Sequence, residues 1–236
     1  MLKALALSPV LVPQALWTVA RAVRLPEAAG DRSGVLGSGP RRSLLIVGDS
    51  SAAGVGVAHQ SDSLAGQLAA DLAKRGTIEW KLVAKSGATV KSTLETIETV
   101  PPEKRDLVII ALGVNDVKNG VRLSNWKKRY RTLLRTISER FDHPLICVSG
   151  VPNLRHFTLL PKPLNLILGE RSERFDATLR AAIGETRNAF YLPMDFPLEP
   201  ESMAVDGFHP GPNVYREWAR RASVGFSDRL GLGPCP

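Results

Sequence analysis

The sequence predicts a three-layer α/β/α sandwich around a sheet of about five parallel strands, and three observations lead there. Short apolar runs alternate with amphipathic stretches of helical spacing from residue 43 to the C-terminal region. The clearest run, residues 107–112 (LVIIAL), has no polar alternation, as expected of a strand covered by helices on both faces. A chain of 236 residues with 44% hydrophobic and 23% charged content is long enough and apolar enough to bury one substantial core.

The first 40 residues stand apart from this pattern. Residues 1–24 begin MLKALAL, meet Pro9 and Pro13, and then reach Trp17 and Arg21. Their unbroken apolar run is too short to span a bilayer, which needs roughly 20 residues. No small-x-small cleavage site follows it, so a cleaved signal peptide is the less favoured reading. A helix docked on the body or lying at a membrane interface is expected instead, because Ala15, Leu16, Val19, Ala20 and Val23 recur at helical spacing. The expected address is therefore cytoplasmic or peripheral to a membrane. Residues 25–40, rich in glycine and proline, read as a linker into a domain covering 41–236.

Within that domain the elements follow in order. Residues 43–48 are the first strand, 63–75 a helix with Leu64, Leu68 and Leu72 on one face, and 78–84 the second strand. A helix over 90–100 stops at Pro101-Pro102. After the strand at 107–112 comes a helix over 125–141 that turns Trp126, Tyr130, Leu133, Leu134 and Ile137 inward. Residues 145–149 form the fourth strand, 172–184 a helix, 189–192 a short fifth strand, and 213–229 the closing helix. In such a sheet, ligands bind beyond the carboxyl ends of the strands. Ser50, Gly87, Asn115 and His209 all fall on that side, in four separate segments.

Composition excludes several functions. The formal charge of +8 is dispersed, and its densest cluster, Lys127, Lys128, Arg129, Arg131 and Arg135, lies on the solvated face of an amphipathic helix. No zinc-finger spacing or aromatic-interleaved basic ribbon points to nucleic acid. The two cysteines, Cys147 in an apolar strand and Cys235 near the C-terminus, have no spacing that suggests a disulfide framework or metal knuckle.

The chemistry concentrates in Gly48-Asp49-Ser50 and Asp206-Gly207-Phe208-His209. A serine hydroxyl needs a base within hydrogen-bond reach, and the base needs a group that fixes its tautomer. Asp206, three residues before His209, can fold its carboxylate back to the ring if Gly207 adopts an unusual dihedral. Taken alone, the tetrapeptide is equally a surface turn. Donors for an oxyanion are the backbone N–H groups of Ser50 and Gly87 and the side-chain amide of Asn115. Glycine at 87 would let the backbone approach a substrate without a Cβ, although Gly87 and Gly113-Val114-Asn115-Asp116 are also consistent with plain turns. His143 falls at the amino edge of the sheet. His59 and His156 lie on the correct side, but lack a carboxylate at turn-compatible spacing. The Gly-x-Ser-x-Gly elbow of α/β-hydrolases is absent, since position 52 is alanine.

Gly48-Asp49-Ser50, Gly87 in Lys85-Ser86-Gly87-Ala88-Thr89, Gly113-Val114-Asn115-Asp116 and Asp206-Gly207-Phe208-His209 resemble, in content and order, the four blocks of the SGNH hydrolase (GDSL lipase/esterase) superfamily. The resemblance covers roughly residues 42–230. It implies a flavodoxin-like sheet, Ser50 as nucleophile, His209 as base, Asp206 as orienter, and Ser50, Gly87 and Asn115 as the oxyanion site. It also implies a small-molecule ester as substrate, no metal and no organic cofactor. Two departures concern the substrate: Ser51 replaces the family's leucine, and Lys85 stands where asparagine is common.

Residues 153–169 carry many leucines and three nearby prolines, and Leu160 and Leu164 are candidate walls of an acyl pocket, with core packing as the alternative. The favoured function is hydrolysis of short-chain carboxylic esters through an acyl-serine. Lysophospholipase, thioesterase or carbohydrate deacetylase activity would use the same groups. A non-enzymatic flavodoxin-like module with phosphate or a cation at Asp49 fits less well, because it wants further acidic residues and a lysine that the fourth strand does not offer.

Overall fold

The computed structural model describes residues 8–196 and 200–232. Residues 1–7 of the expected N-terminal segment, and Cys235, lie outside the described residues. Six strands form one sheet: β1 (Ser33–Leu36), β2 (Arg41–Gly48), β3 (Thr77–Ala84), β4 (Leu107–Ala111), β5 (Leu145–Ser149) and β6 (Ala189–Leu192). Their order is β1-β3-β2-β4-β5-β6. The pairs from β3 to β6 are all parallel, and β1 is antiparallel to β3. The five expected strands thus take the flavodoxin-like order 2-1-3-4-5, whose switch point lies between β2 and β4.

The alternation of side chains along each strand divides the core. Leu44, Ile46, Leu107, Ile109 and Cys147 meet α2 (Leu64–Ala73) and α7 (Pro212–Arg229) on one face. On the other, Leu45, Val47, Val108, Ile110, Ile146 and Val148 meet α3 (Val90–Thr99), α5 (Leu123–Arg140) and α6 (Leu164–Ile183). Burial on both faces explains why β4 reads as an unbroken apolar run. The caps are where the residue types require them: Ser63 accepts from Ala65 N at the start of α2, and Thr89 and Ser92 form a reciprocal capping box on α3. A short helix, α4 (Val114–Lys118), follows β4.

Three expectations change. Residues 25–40 are more than a linker, because Ser33–Leu36 joins the sheet as its antiparallel edge. Four residues among glycines carry too little periodicity to show as a strand. The same segment is tied to the body where Gln60 Nε2 donates to Ala28 O at 3.2 Å and Ala53 O at 3.0 Å. Second, α6 begins at Leu164, so the last third or so of the leucine-rich stretch is helix. Third, an N-terminal helix, α1 (Ser8–Arg21), is present, but the stripe Ala15, Leu16, Val19, Ala20 and Val23 faces outward, while Leu11, Gln14 and Thr18 face the body. No helix among the described residues is long and apolar enough to cross a membrane.

Trp126 anchors the second layer. It is fully buried, with its ring centroid 5.1 Å from that of Tyr130 and 4.7 Å from that of Phe175, and its Nε1 has no partner among the described residues. Trp126→Ala should cost about 3–5 kcal/mol in urea-denaturation stability. Trp126→Phe keeps a ring and removes the orphan N–H, so it should cost much less. Equal losses for the two would contradict this packing argument.

Candidate active site

Four loops meet at the carboxyl end of the sheet. Ser50 follows β2, and its Oγ stands 2.8 Å from His209 Nε2. The other ring nitrogen, Nδ1, is 2.5 Å from Asp206 Oδ2. A carboxylate only accepts, so Nδ1 carries the proton and Nε2 is left to accept from the serine hydroxyl. The second Asp206 oxygen accepts the backbone N–H groups of Phe208 and His209, both at 3.0 Å. Burial works to raise the Asp206 carboxyl, but the bonds from the His209 ring and the two backbone groups outweigh it and hold the pKa below the ordinary carboxylate value.

Gly207 makes this loop possible. Its φ is +63°, and a Cβ there would lie 2.4 Å from Thr158 Oγ1. Gly87 has a different reason for being glycine. Its φ is +80°, and no described protein atom lies within 4 Å of where a Cβ would stand, so within the protein it is the left-handed turn that demands glycine. Among the described residues, no hydrogen bond uses the backbone N–H of Ser50 or of Gly87. Asn115, at the start of α4, donates from Nδ2 to Ala88 O at 3.0 Å and to Asp49 Oδ2 at 3.3 Å. The four expected segments are therefore brought together.

Leu160 and Leu164 are not. Each is buried in the core layer under α5 and α6, outside the cavity beside Ser50. Leu160, on the loop before α6, and Leu164, the first residue of that helix, satisfy core packing instead. The cavity is walled by Phe157, Met194, Phe196, Met203, Phe208 and Trp218. Sequence reasoning passed over Met194, Phe196 and Met203 because they lie in the irregular stretch between β6 and α7, where no period marks an inward residue. Phe208 sat within the recognised tetrapeptide and was a readable signal.

Residues 46–217 match the model of the GDSL-like lipase/acylhydrolase family. The chain belongs to this family. Like the family, it is a carboxylic-ester hydrolase. None of the curated proteins matches it significantly in sequence. Solved structures with the same fold include a carbohydrate esterase family 2 enzyme with its carbohydrate-binding domain from Corynascus thermopiles (Myceliophthora fergusii), with TM-score 0.66 and 17% identity over 81% of this chain and 67% of that one. TesA aligns with TM-score 0.63 and 21% identity, over 80% of this chain and 99% of its own. The psychrotrophic esterase EstA of Pseudoalteromonas aligns with TM-score 0.62 and 16% identity, over 80% and 99%.

Behind Ser50 this GDSL-like hydrolase buries two acids that the triad does not use. Asp49 accepts from Ser51 N at 3.0 Å and Ser51 Oγ at 2.8 Å, and burial raises its pKa against those bonds. Asp116 accepts from Val90 N at 3.0 Å, while its other oxygen has no partner among the described residues. Burial above all pushes its pKa up to about 6; the Val90 N–H and Arg129 oppose this, and the Asp49 charge adds to it. Between the unfolded value of 3.8 and about 6, the native state holds the extra proton, so this group lowers stability as pH rises. Asp116→Asn should therefore gain on the wild type by about 1.4 kcal/mol per pH unit across that window and level off above it. Urea-denaturation curves from pH 4 to 8 measure this, and a pH-independent difference would refute it.

Proposed function

We propose that the protein hydrolyses short-chain carboxylic esters through an acyl-serine intermediate. The contact between Ser50 Oγ and His209 Nε2, at 2.8 Å with the Asp206 carboxylate behind the ring, carries this reading. His209 takes the hydroxyl proton as Ser50 attacks the carbonyl, and then returns it to the leaving alcohol; the same base next activates the water that releases the acid. The unused N–H groups of Ser50 and Gly87 are oxyanion donors in this mechanism. Asn115 is the third. Its longer bond, to Asp49, is the one a developing oxyanion can compete for.

The preference for short acyl groups rests on the cavity, whose volume is about 60 Å³. One ordered water needs roughly 10–15 Å³ on the same measure, so there is room for a stub of a few carbons rather than a long chain. A carbohydrate acetate is a second reading: an acetyl fits that space, and the Corynascus neighbour is a carbohydrate esterase.

Two measurements test the proposal. On p-nitrophenyl esters of increasing length, kcat/KM should be highest for acetate or butyrate and fall for octanoate. Ser50→Ala should abolish both turnover and fluorophosphonate labelling, and Asn115→Ala should lower kcat about 10²–10³-fold. Persistent labelling of Ser50→Ala would remove that serine as nucleophile, and a rising rate up to octanoate would overturn the acyl-length assignment.

Glu27 supports the same mechanism from a distance. Its Oε1 accepts from Ser86 N at 2.7 Å and Ser86 Oγ at 2.8 Å, while Oε2 pairs with Arg32. Burial acts to raise its pKa, but the Ser86 and Arg32 contacts prevail and lower it. We expect Glu27→Ala to loosen the Ser86-Gly87 turn and reduce kcat about tenfold with little change in KM, since misplacement of a donor weakens transition-state binding. Glu27→Gln, which retains an acceptor, should recover part of the loss. An unchanged kcat would deny Glu27 a positioning role.

A further inference from the structure

The N-terminal helix is inverted relative to the usual surface helix. Its side toward the body presents Leu11, Gln14 and the buried Thr18, while Val10, Val12, Leu16, Trp17, Val19 and Val23 are 46–68% exposed. A helix that served only to cover the core would bury those apolar side chains and expose the polar ones. The docking is specific nonetheless. Gln14 Nε2 donates to Lys162 O at 2.6 Å, and Gln14 Oε1 accepts from Leu164 N at 3.3 Å. The outward apolar face is thus held in place and left without cover among the described residues.

Charge indicates what covers it. The first 26 residues contain Lys3, Arg21 and Arg24 and no acidic residue. Arg21 and Arg24 are exposed at the C-terminal end of the apolar face, with the Arg21 guanidinium 4.9 Å from the Trp17 ring centroid. An apolar face bordered by cations, with a tryptophan between them, matches the boundary between acyl chains and anionic headgroups. The helix has 14 residues, about 21 Å at 1.5 Å each, which is shorter than a hydrocarbon core of roughly 30 Å. Over its described residues, the helix is long enough to lie in the interface and too short to cross it.

We propose that α1 docks the enzyme on anionic phospholipid surfaces, with Val12, Leu16, Trp17 and Val19 inserted below the headgroups and Arg21 and Arg24 paired with them. The docking point is close to the reaction. Lys162, which holds Gln14, is five residues from Phe157 of the cavity wall, a chain distance of at most about 18 Å. An ester dissolved in the lipid surface is thereby brought near Ser50. This inference stands apart from the acyl-length reading and does not depend on it.

Vesicle co-sedimentation of the full-length protein tests it. The protein should pellet with vesicles of phosphatidylcholine mixed with phosphatidylglycerol, and much less with phosphatidylcholine alone. Leu16→Glu with Val19→Glu should abolish pelleting while hydrolysis of soluble p-nitrophenyl acetate stays unchanged, which verifies the fold. Arg21→Gln with Arg24→Gln should weaken binding to the anionic vesicles about 30-fold, at roughly fivefold per cation near the surface. Equal binding to both compositions, indifferent to the arginines, would overturn the anionic assignment. Failure to bind either vesicle would overturn the proposal, and so would a dimer in analytical ultracentrifugation that the Leu16/Val19 pair dissociates without vesicle binding.

Discussion

The Asp206 carboxylate is the constraint on which the active site depends. One oxygen gathers two consecutive backbone N–H groups and so closes the turn; the other holds the imidazole that the turn has just brought round. Local folding and ring orientation are therefore one event. The arrangement needs a residue at 207 that accepts a positive φ, and the Thr158 side chain crowds the same spot from the neighbouring loop. Leu159 N donates to Gly207 O at 3.1 Å, so the loop after β5 supports the turn from outside. Phe208 extends that support, edge-on to Phe157 at 5.1 Å between centroids.

Around this turn the parallel sheet acts as a positioning frame. β2 and β4 are neighbours with their ends in register, Gly48 beside Ala111, and each releases its chain toward the crevice at the switch point. Ser50 and Asn115 are consequently neighbours despite their separation in sequence. The segment before β2 contributes more than a tether. Through Glu27 it secures Ser86, and through Ala28 it meets the buried Gln60 that also holds Ala53 of the loop after Ser50. Two of the loops that carry reactive groups are thus braced by residues outside the α/β alternation.

What was legible in the sequence follows from this division. Strands buried on both faces and helices with a wide apolar stripe carry strong periodic signals, and the four motif blocks sit at their ends, so the sheet and the convergence of Ser50, Gly87, Asn115 and His209 could be read. Features that rest on a short pairing or one buried polar side chain left no period. The edge strand at Ser33–Leu36 is four residues long and exposed, and Gln60 is one buried polar side chain in a loop. The leucines at 160 and 164 show the opposite failure, because apolar character alone does not distinguish a cavity wall from a core. The stripe on α1 was readable as a helix, but only its docking through Gln14 reveals that the apolar side faces away.

The electrostatics of the site also depend on burial. Asp49, Asp116 and Asp206 are three acids buried at the carboxyl end of the sheet. Burial raises the pKa of the first two, while hydrogen bonds hold that of Asp206 down beside the His209 ring. Lys118 lies within the field of Asp49, its ammonium 4.7 Å from the Phe208 ring centroid, and burial lowers its own pKa against that attraction. The ionised form is therefore favoured beside the imidazole and penalised beneath the serine. Three acids scattered through a sequence would not suggest that burial and hydrogen bonding divide them in this way.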